Sequence, residues 1–214
     1  LKKVGNSNHT VVAGSGNDTI EMLGLNDEGP NNNLIWTGIG DDSVRITGDG
    51  DQEIYDAEPG IIDDTGNDTV EFVGDGDMKA VMGDGDDVII ITDNNGGDPV
   101  SLGFNVGVHD IDLGDGHDSL LIDGGRDVFG SIDPGPPPNA PTILVAGDGD
   151  DSVDVRFDHI LDVDLGTGSD ELTLRAQDLT IQDTIKGGDG EEDIDTLILT
   201  NEGGSDSTGR VGQS

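Results

Sequence analysis

The residues of this chain that could do chemistry are overwhelmingly of one kind. Aspartate recurs beside glycine in a short unit that ends in Asp and is followed at once by an alternating apolar stretch. Copies run from Gly14-Ser15-Gly16-Asn17-Asp18 and Gly38-Ile39-Gly40-Asp41-Asp42 to Gly83-Asp84-Gly85-Asp86-Asp87 and Gly114-Asp115-Gly116-His117-Asp118. They continue with Gly147-Asp148-Gly149-Asp150-Asp151 and Gly166-Thr167-Gly168-Ser169-Asp170. Two further copies depart from the pattern. Asp64-Thr65-Gly66-Asn67-Asp68 lacks the first glycine, and the last, around Gly187-Gly188-Asp189-Gly190 and Asp195, carries extra residues. Repeated carboxylates next to glycine turns have an obvious use: oxygen ligands for hard cations.

Composition sharpens the point. The 214 residues hold 47 acids against 9 bases, a formal net charge of -38. Only 9 of the acids are Glu, which leaves 38 Asp, and there are 36 Gly. An acidic surface serving solvation alone would use Glu as readily as Asp. The Asp excess beside Gly therefore favours a repeated cation site over a halophilic or disordered surface. Such a charge disfavours nucleic acid and anionic membranes as partners, since both require a positive footprint. No apolar run approaches the roughly 18 residues of a membrane helix. Asp and Gly are poor in helix interiors. The absence of cysteine excludes disulfides, Cys-ligated zinc and a Cys nucleophile.

The elements that must hold these residues follow from the spacing. Copies start at 14, 38, 64, 83, 114, 147, 166 and 188, never fewer than 19 residues apart. A period near 20 with variable insertions is the mark of a solenoid. After each motif Asp, large apolar residues stand two and four places on: Ile20/Met22, Val44/Ile46, Val70/Phe72, Ile89/Ile91, Leu120/Ile122, Val153/Val155, Leu172/Leu174 and Leu197/Leu199. The residue between is often polar (Glu21, Arg45, Glu71, Asp154, Thr173), so one face points in and one out. A second strand precedes most motifs, with inward positions Val11/Ala13, Ile35/Thr37, Ala80/Met82, Ile111/Leu113, Leu144/Ala146 and Val163/Leu165. Each coil thus reads as strand, Gly-Asp turn, strand, return turn. Stacked coils give a thin core of aliphatic ladders, consistent with 3% aromatics. The expectation is a single all-β domain over 1–214, a parallel β-solenoid of about eight coils with repeats over roughly 9–200. Loop insertions fall on one side, at 93–105 and 124–141, the second containing Pro134-Gly135-Pro136-Pro137-Pro138.

Stacking places the motif Asp of each coil above the last, about 4.8 Å apart. Two charges at that distance repel by roughly 1 kcal/mol in water and several-fold more at an effective dielectric near 20. A cation between them removes the repulsion. Calcium takes six to eight oxygens from carboxylates and carbonyls, whereas magnesium demands tighter geometry and keeps its waters. The glycines allow φ > 0 and are expected to aim turn carbonyls inward. The expected metal residues are Asp18, Asp42, Asp68, Asp87, Asp118, Asp151, Asp170 and Asp195, with Gly16, Gly40, Gly85, Gly116, Gly149 and Gly168 and the neighbouring Asp41, Asp86 and Asp150. On the return side, Gly48-Asp49-Gly50-Asp51 and Gly74-Asp75-Gly76-Asp77 suggest a partial second row through Asp51 and Asp77.

The repeat resembles the RTX family, the hemolysin-type calcium-binding repeats written Gly-Gly-x-Gly-x-Asp-x-U-x with U large and apolar. The resemblance covers roughly residues 9–200. It implies a right-handed parallel β-roll with several calcium ions in its turns, and export from a Gram-negative-like cell, usually by a type I system. Tandem family members repeat every nine residues and bind calcium at both turns. Here one side is regular and the other is not, which makes the second row partial, while the missing first glycine at Asp64 and the extra residues of the last copy set Asp68 and Asp195 apart within the first row.

Other features carry less. His9, His109, His117 and His159 lack metal-ligand spacing, and His117 occupies a variable motif position expected to face solvent. Asn8-His9-Thr10, Asn17-Asp18-Thr19 and Asn67-Asp68-Thr69 fit a glycosylation acceptor, the last two as by-products of the calcium motif. Trp36 is expected to face outward beside Val12. No nucleophile–base–orienter set stands out, so no enzyme is expected. Calcium-dependent β-helix polysaccharide lyases use a basic residue, but only Arg45, Arg126, Arg156 and Arg175 lie near the coils.

The expected function is an extracellular structural protein, a segment or subunit of a surface layer, matrix fibre or adhesin stalk. It would fold and self-associate head to tail when calcium binds, with Lys2 and Lys3 meeting an acidic far end. The chain begins at Leu1, and an exported RTX tail of a larger secreted enzyme or toxin is the alternative. A carbohydrate-binding module, with cell-surface or polysaccharide contact through Trp36 and the loops, is a third reading. Neither nucleic-acid binding nor membrane insertion is expected.

Overall fold

The structure, a computed structural model, describes residues 1–4, 8–25, 33–48, 50–56, 65–74, 76–92, 109–123, 141–156, 160–177, 179–188 and 194–201. All regular structure among them is β. The strands are β1 (Lys2–Val4), β2 (His9–Ser15), β3 (Thr19–Leu25), β4 (Asn33–Ile39), β5 (Ser43–Gly48), β6 (Gln52–Tyr55), β7 (Thr69–Val73), β8 (Met78–Val81) and β9 (Val88–Thr92). They continue as β10 (His109–Asp112), β11 (Ser119–Asp123), β12 (Thr142–Val145), β13 (Ser152–Arg156), β14 (Leu161–Asp164), β15 (Glu171–Arg175), β16 (Thr184–Lys186) and β17 (Thr196–Thr200).

Odd-numbered strands form one nine-stranded sheet in the order β1-β3-β5-β7-β9-β11-β13-β15-β17. Even-numbered strands form an eight-stranded sheet in the order β16-β14-β12-β10-β8-β6-β4-β2. Every pairing is parallel. Consecutive strands alternate between sheets, so each coil contributes one strand to each. This is a parallel β-solenoid whose sheets are not closed among the described residues.

Register places like above like. Ile20 lies over Val44, Val44 over Val70, Val70 over Ile89, and the row continues through Leu120, Val153, Leu172 and Leu197. The facing row runs Val11, Ile35, Ile54, Ala80, Ile111, Leu144, Val163 and Ile185. From Ile20 to Leu172 and from Val11 to Val163 these rows form one continuous core, with Ile185 packed against it. The expected inward residues are buried from Ile20 to Leu174, and Leu197 and Leu199 are half exposed on the edge strand β17. Burial of these aliphatic side chains, roughly 1.5–3 kcal/mol each, drives the stack.

Three strands escape the sequence pattern, one of them β16, which pairs with β14 and sets Ile185 over Val163. β1 adds half a coil by pairing with β3. β6 supplies the coil before Asp68, with Gln52, Ile54 and Asp56 buried. The extra residues are also not all on the return side. Twelve positions separate the buried Asp56 from Asp68, against five between its register equivalent Thr37 and Asp42. The expected insertion at 93–105 and all of that at 124–141 except Pro141, and also His159, lie outside the described residues.

Outward positions are laced by ion pairs along the stack. Lys2 meets Glu21 at 2.8 Å, Arg45 meets Glu71 at 3.1 Å, Lys79 meets Asp110 at 2.6 Å, and Lys186 meets Asp164 at 3.2 Å. Arg156 grips Asp154 at 2.5 Å. Trp36 is in register with Val12, as expected, and also with Tyr55.

Candidate metal centre

The Gly-Asp turns stack along one edge of the solenoid, between the end of each even-numbered strand and the start of the next odd-numbered one. Gly38, Gly40, Gly85, Gly114, Gly116, Gly147, Gly149, Gly166 and Gly168 all have φ between +85° and +154°, a region that side-chain-bearing residues rarely enter. A second constraint is tighter. A Cβ on Gly38 would overlap the carbonyl oxygen of Gly14. Gly114, Gly147 and Gly166 stand in the same relation to Gly83, Gly114 and Gly147. The turn carbonyls therefore run along the stacking axis. They accept N–H donors from the next coil: Asp115 to Gly83 at 3.2 Å, Asp148 to Gly114 at 3.3 Å and Thr167 to Gly147 at 2.9 Å. These carbonyls belong to the first glycine of each motif, and not to the predicted Gly16, Gly40, Gly85, Gly116, Gly149 and Gly168. Glycine is required because successive turn backbones lie against each other without room for a methyl group.

Two side-chain ladders lock the turns. In the first, the motif Asp reaches back toward the preceding coil. The backbone N–H of Asp18 donates to Asp42 Oδ1 at 2.6 Å, Asp42 to Asp68 at 2.7 Å, Asp68 to Asp87 at 2.7 Å and Asp87 to Asp118 at 2.7 Å. Asp118 donates to Asp151 at 2.9 Å, Asp151 to Asp170 at 2.9 Å and Asp170 to Asp195 at 3.3 Å. All eight predicted residues thus share one row. Asp42, Asp68, Asp87, Asp118, Asp151 and Asp170 are at most 3% exposed, Asp18 is half-buried and Asp195 is exposed.

In the second ladder, the residue before each motif Asp reaches forward. Asn17 Oδ1 accepts from Asp41 N–H at 3.3 Å, Asp41 from Asn67 at 3.1 Å, Asn67 from Asp86 at 3.1 Å and Asp86 from His117 at 3.1 Å. His117 Nδ1 accepts from Asp150 at 3.0 Å, and Asp150 Oδ1 from Ser169 at 2.8 Å. Asp41, Asp86, Asp150 and His117 are exposed. The sequence reading missed that Asn17, Asn67, His117 and Ser169 belong to this row. The available signal was that every copy but the last, which has Ile194, carries an acceptor-bearing side chain there.

The buried row is electrostatically unsatisfied at its centre. Oδ2 of Asp118 and Oδ2 of Asp151 are buried and have no hydrogen-bond partner. Burial pushes the Asp118 carboxyl up to about 7 and that of Asp151 up to about 6. The backbone N–H on each Oδ1 opposes the rise, and the neighbouring aspartates add to it. A buried carboxylate with an idle oxygen calls for a proton or a cation. In that respect the row fits a hard cation. Among the described residues no three His, Cys, Asp or Glu side chains converge into a group that could hold a metal. A cation here would accordingly draw much of its shell from backbone carbonyls and water as well as from the motif carboxylates, a mixture calcium accepts.

Asp56 was missed by the sequence reading, although the period-two register from Gln52 and Ile54 leads to it. The Thr37 hydroxyl lies 3.4 Å from Asp56 Oδ1 and 3.2 Å from Asp68 Oδ2, joining the two buried acids. On the return side, Asp51 and Asp77 are exposed and stack through Asp77 N–H to Asp51 Oδ1 at 3.2 Å. Asp49 and Asp75 lie outside the described residues.

No protein-family model matches the chain, no curated protein matches it, and no solved structure matches it.

Proposed function

We propose that the chain is an RTX-like, calcium-stabilised structural protein of the cell exterior. It would serve as a segment or subunit of a surface layer, matrix fibre or adhesin stalk. The carrying observation is the continuous row of buried motif aspartates with idle Oδ2 atoms at Asp118 and Asp151. In this reading the motif aspartates, with turn carbonyls, hold calcium. The ion supplies the positive charge that a column of buried carboxylates lacks.

Extracellular calcium modules bind at about 0.1–1 mM, well above cytosolic levels. Binding free energy then acts as folding free energy, so the chain stays open inside the cell and folds outside it. Strand β17 ends its sheet among the described residues, with Leu197 and Leu199 half exposed, which favours self-association because a parallel edge templates another strand. Circular dichroism tests the calcium step. EGTA at low salt should abolish the β signal and millimolar calcium should restore it; a β signal that survives chelation overturns the proposal. Electron microscopy with calcium tests assembly. Isolated particles at high concentration would remove the fibre and leave an exported tail of a larger secreted protein.

A further inference from the structure

Among the described residues, the outer surface of the Gly-Asp edge carries three exposed aspartates each followed by glycine: Asp84-Gly85, Asp115-Gly116 and Asp148-Gly149. They stand directly above one another, with Asp84 bridged to Asp115 and Asp115 to Asp148. Among aspartyl links, Asp-Gly is the one most prone to intramolecular cyclisation, because glycine leaves its own nitrogen unhindered. In the stack that nitrogen is occupied. Gly85 N–H donates to Asp115 O at 2.8 Å, Gly116 N–H to Asp148 O at 2.7 Å and Gly149 N–H to Thr167 O at 2.7 Å.

We propose that these three links are fold-gated isoaspartate sites, shielded while the coils are stacked and reactive whenever they open. In the open chain the glycine nitrogen attacks Cγ of the preceding aspartic acid. The Cγ–OH bond breaks and leaves as water, carrying the proton lost from nitrogen, and a five-membered succinimide remains. Water then adds at the main-chain carbonyl of the ring and breaks its bond to the glycine nitrogen. The backbone now runs through Cβ and Cγ, one atom longer, and the former main-chain carbonyl becomes a free carboxylate. No oxidant or co-reactant other than water takes part.

The modified chain cannot restack. A methyl group on Gly85, Gly116 or Gly149 would already overlap the carbonyl oxygen of Gly66, Gly85 or Gly116 beneath it, so an extra backbone atom at the same turn has nowhere to go. Time spent open is thereby recorded as permanent loss of the folded state. The inference rests on the stacked turns and is independent of which ion, if any, they hold.

The full chain is incubated in mildly acidic buffer, once folded as shown by its β spectrum and once in concentrated urea. Isoaspartate is then located by electron-transfer mass spectrometry and by resistance to Asp-N cleavage. Since reaction follows the open population, the folded sample should react at Asp84, Asp115 and Asp148 at least about tenfold more slowly. After removal of urea the aged wild type should refold poorly. The aged Asp84→Glu/Asp115→Glu/Asp148→Glu variant, whose longer acids cyclise sluggishly, should refold well. Equal rates in both states overturn the gating, and full refolding of isoaspartate-bearing chains overturns the loss of restacking.

Discussion

The two edges of the solenoid satisfy the same need with different chemistry. Along the return edge, strand starts are tied mainly by neutral side chains, an exception being Asp183, whose Oδ1 accepts from Leu161 N–H at 3.0 Å. His9 N–H donates to Asn33 Oδ1 at 3.2 Å, Asn33 Nδ2 to Gln52 Oε1 at 2.8 Å, and His109 N–H to Thr142 Oγ1 at 3.2 Å. Met78 and Leu161 interrupt this row. Along the Gly-Asp edge the same service, an acceptor for a buried N–H, is performed in every coil by aspartate. Asn or Thr would accept that hydrogen bond without the cost of burying a charge. Backbone satisfaction therefore explains why a short acceptor stands at these positions and leaves the choice of carboxylate unexplained. On the proposed reading, the charge serves an ion ladder.

The largest effect should come from the glycines. Gly147→Val forces a branched side chain into the carbonyl of Gly114 at φ +106° and should cost more than about 4 kcal/mol, seen as loss of the cooperative urea transition. Gly14→Ala, with nothing within 4 Å of the new Cβ, should cost only the roughly 1–2 kcal/mol of left-handed backbone strain. Gly74→Ala on the return edge, where the new methyl meets Gly48 O, should be as severe as its counterparts on the other edge if close stacking alone sets the penalty.

Next is the carboxylate itself. Asp118→Ala strands the N–H of Asp87 and should cost about 1–3 kcal/mol. Asp118→Asn keeps the Oδ1 acceptor and removes the buried charge. It should stabilise the calcium-free chain and raise the calcium concentration needed for folding. Thr142→Ala on the return edge should destabilise equally with and without calcium. If Asp118→Asn behaves like Thr142→Ala in a calcium titration, the two edges are equivalent and the ion ladder fails.

A pH series separates the edges further. The raised carboxyls of Asp118 and Asp151, at about 7 and about 6, mean that the folded chain binds protons more tightly than the unfolded chain. Stability without calcium should thus be greatest below about pH 4 and fall as pH rises toward 7. Saturating calcium should flatten that slope, measurable as urea midpoints across pH. The smallest effect belongs to the surface pairs. Lys79→Ala removes an ion pair with Asp110 whose members are 44% and 52% exposed and should cost under about 1 kcal/mol, less at high salt.

Much of the fold was legible because a strand's side chains alternate and a solenoid repeats one register. Ile20/Met22 through Leu172/Leu174 could be assigned inward from period two alone. β6 was not legible, because its inward residues Gln52 and Asp56 are polar and broke the apolar signal. Their burial depends on neighbours in adjacent coils, Asn33 for Gln52 and Thr37 for Asp56. The row of motif aspartates was legible as a set of positions. The opposite directions of the two turn ladders were not, since spacing along the chain is identical whether a side chain leans forward or back.

The amino-acid sequence by itself determined the coil boundaries, the inward rows and the column of acids, because these depend only on local period and on where glycine permits a turn. Tertiary structure alone decided which atoms meet. It gave Oδ1 of each motif Asp to a backbone N–H of the coil before it and left Oδ2 of Asp118 and Asp151 idle. It also brought Tyr55 beside Trp36 and made the glycines necessary for stacking as well as for turning. Those outcomes are set by contacts between coils 19 or more residues apart in the chain, and no local pattern contains them.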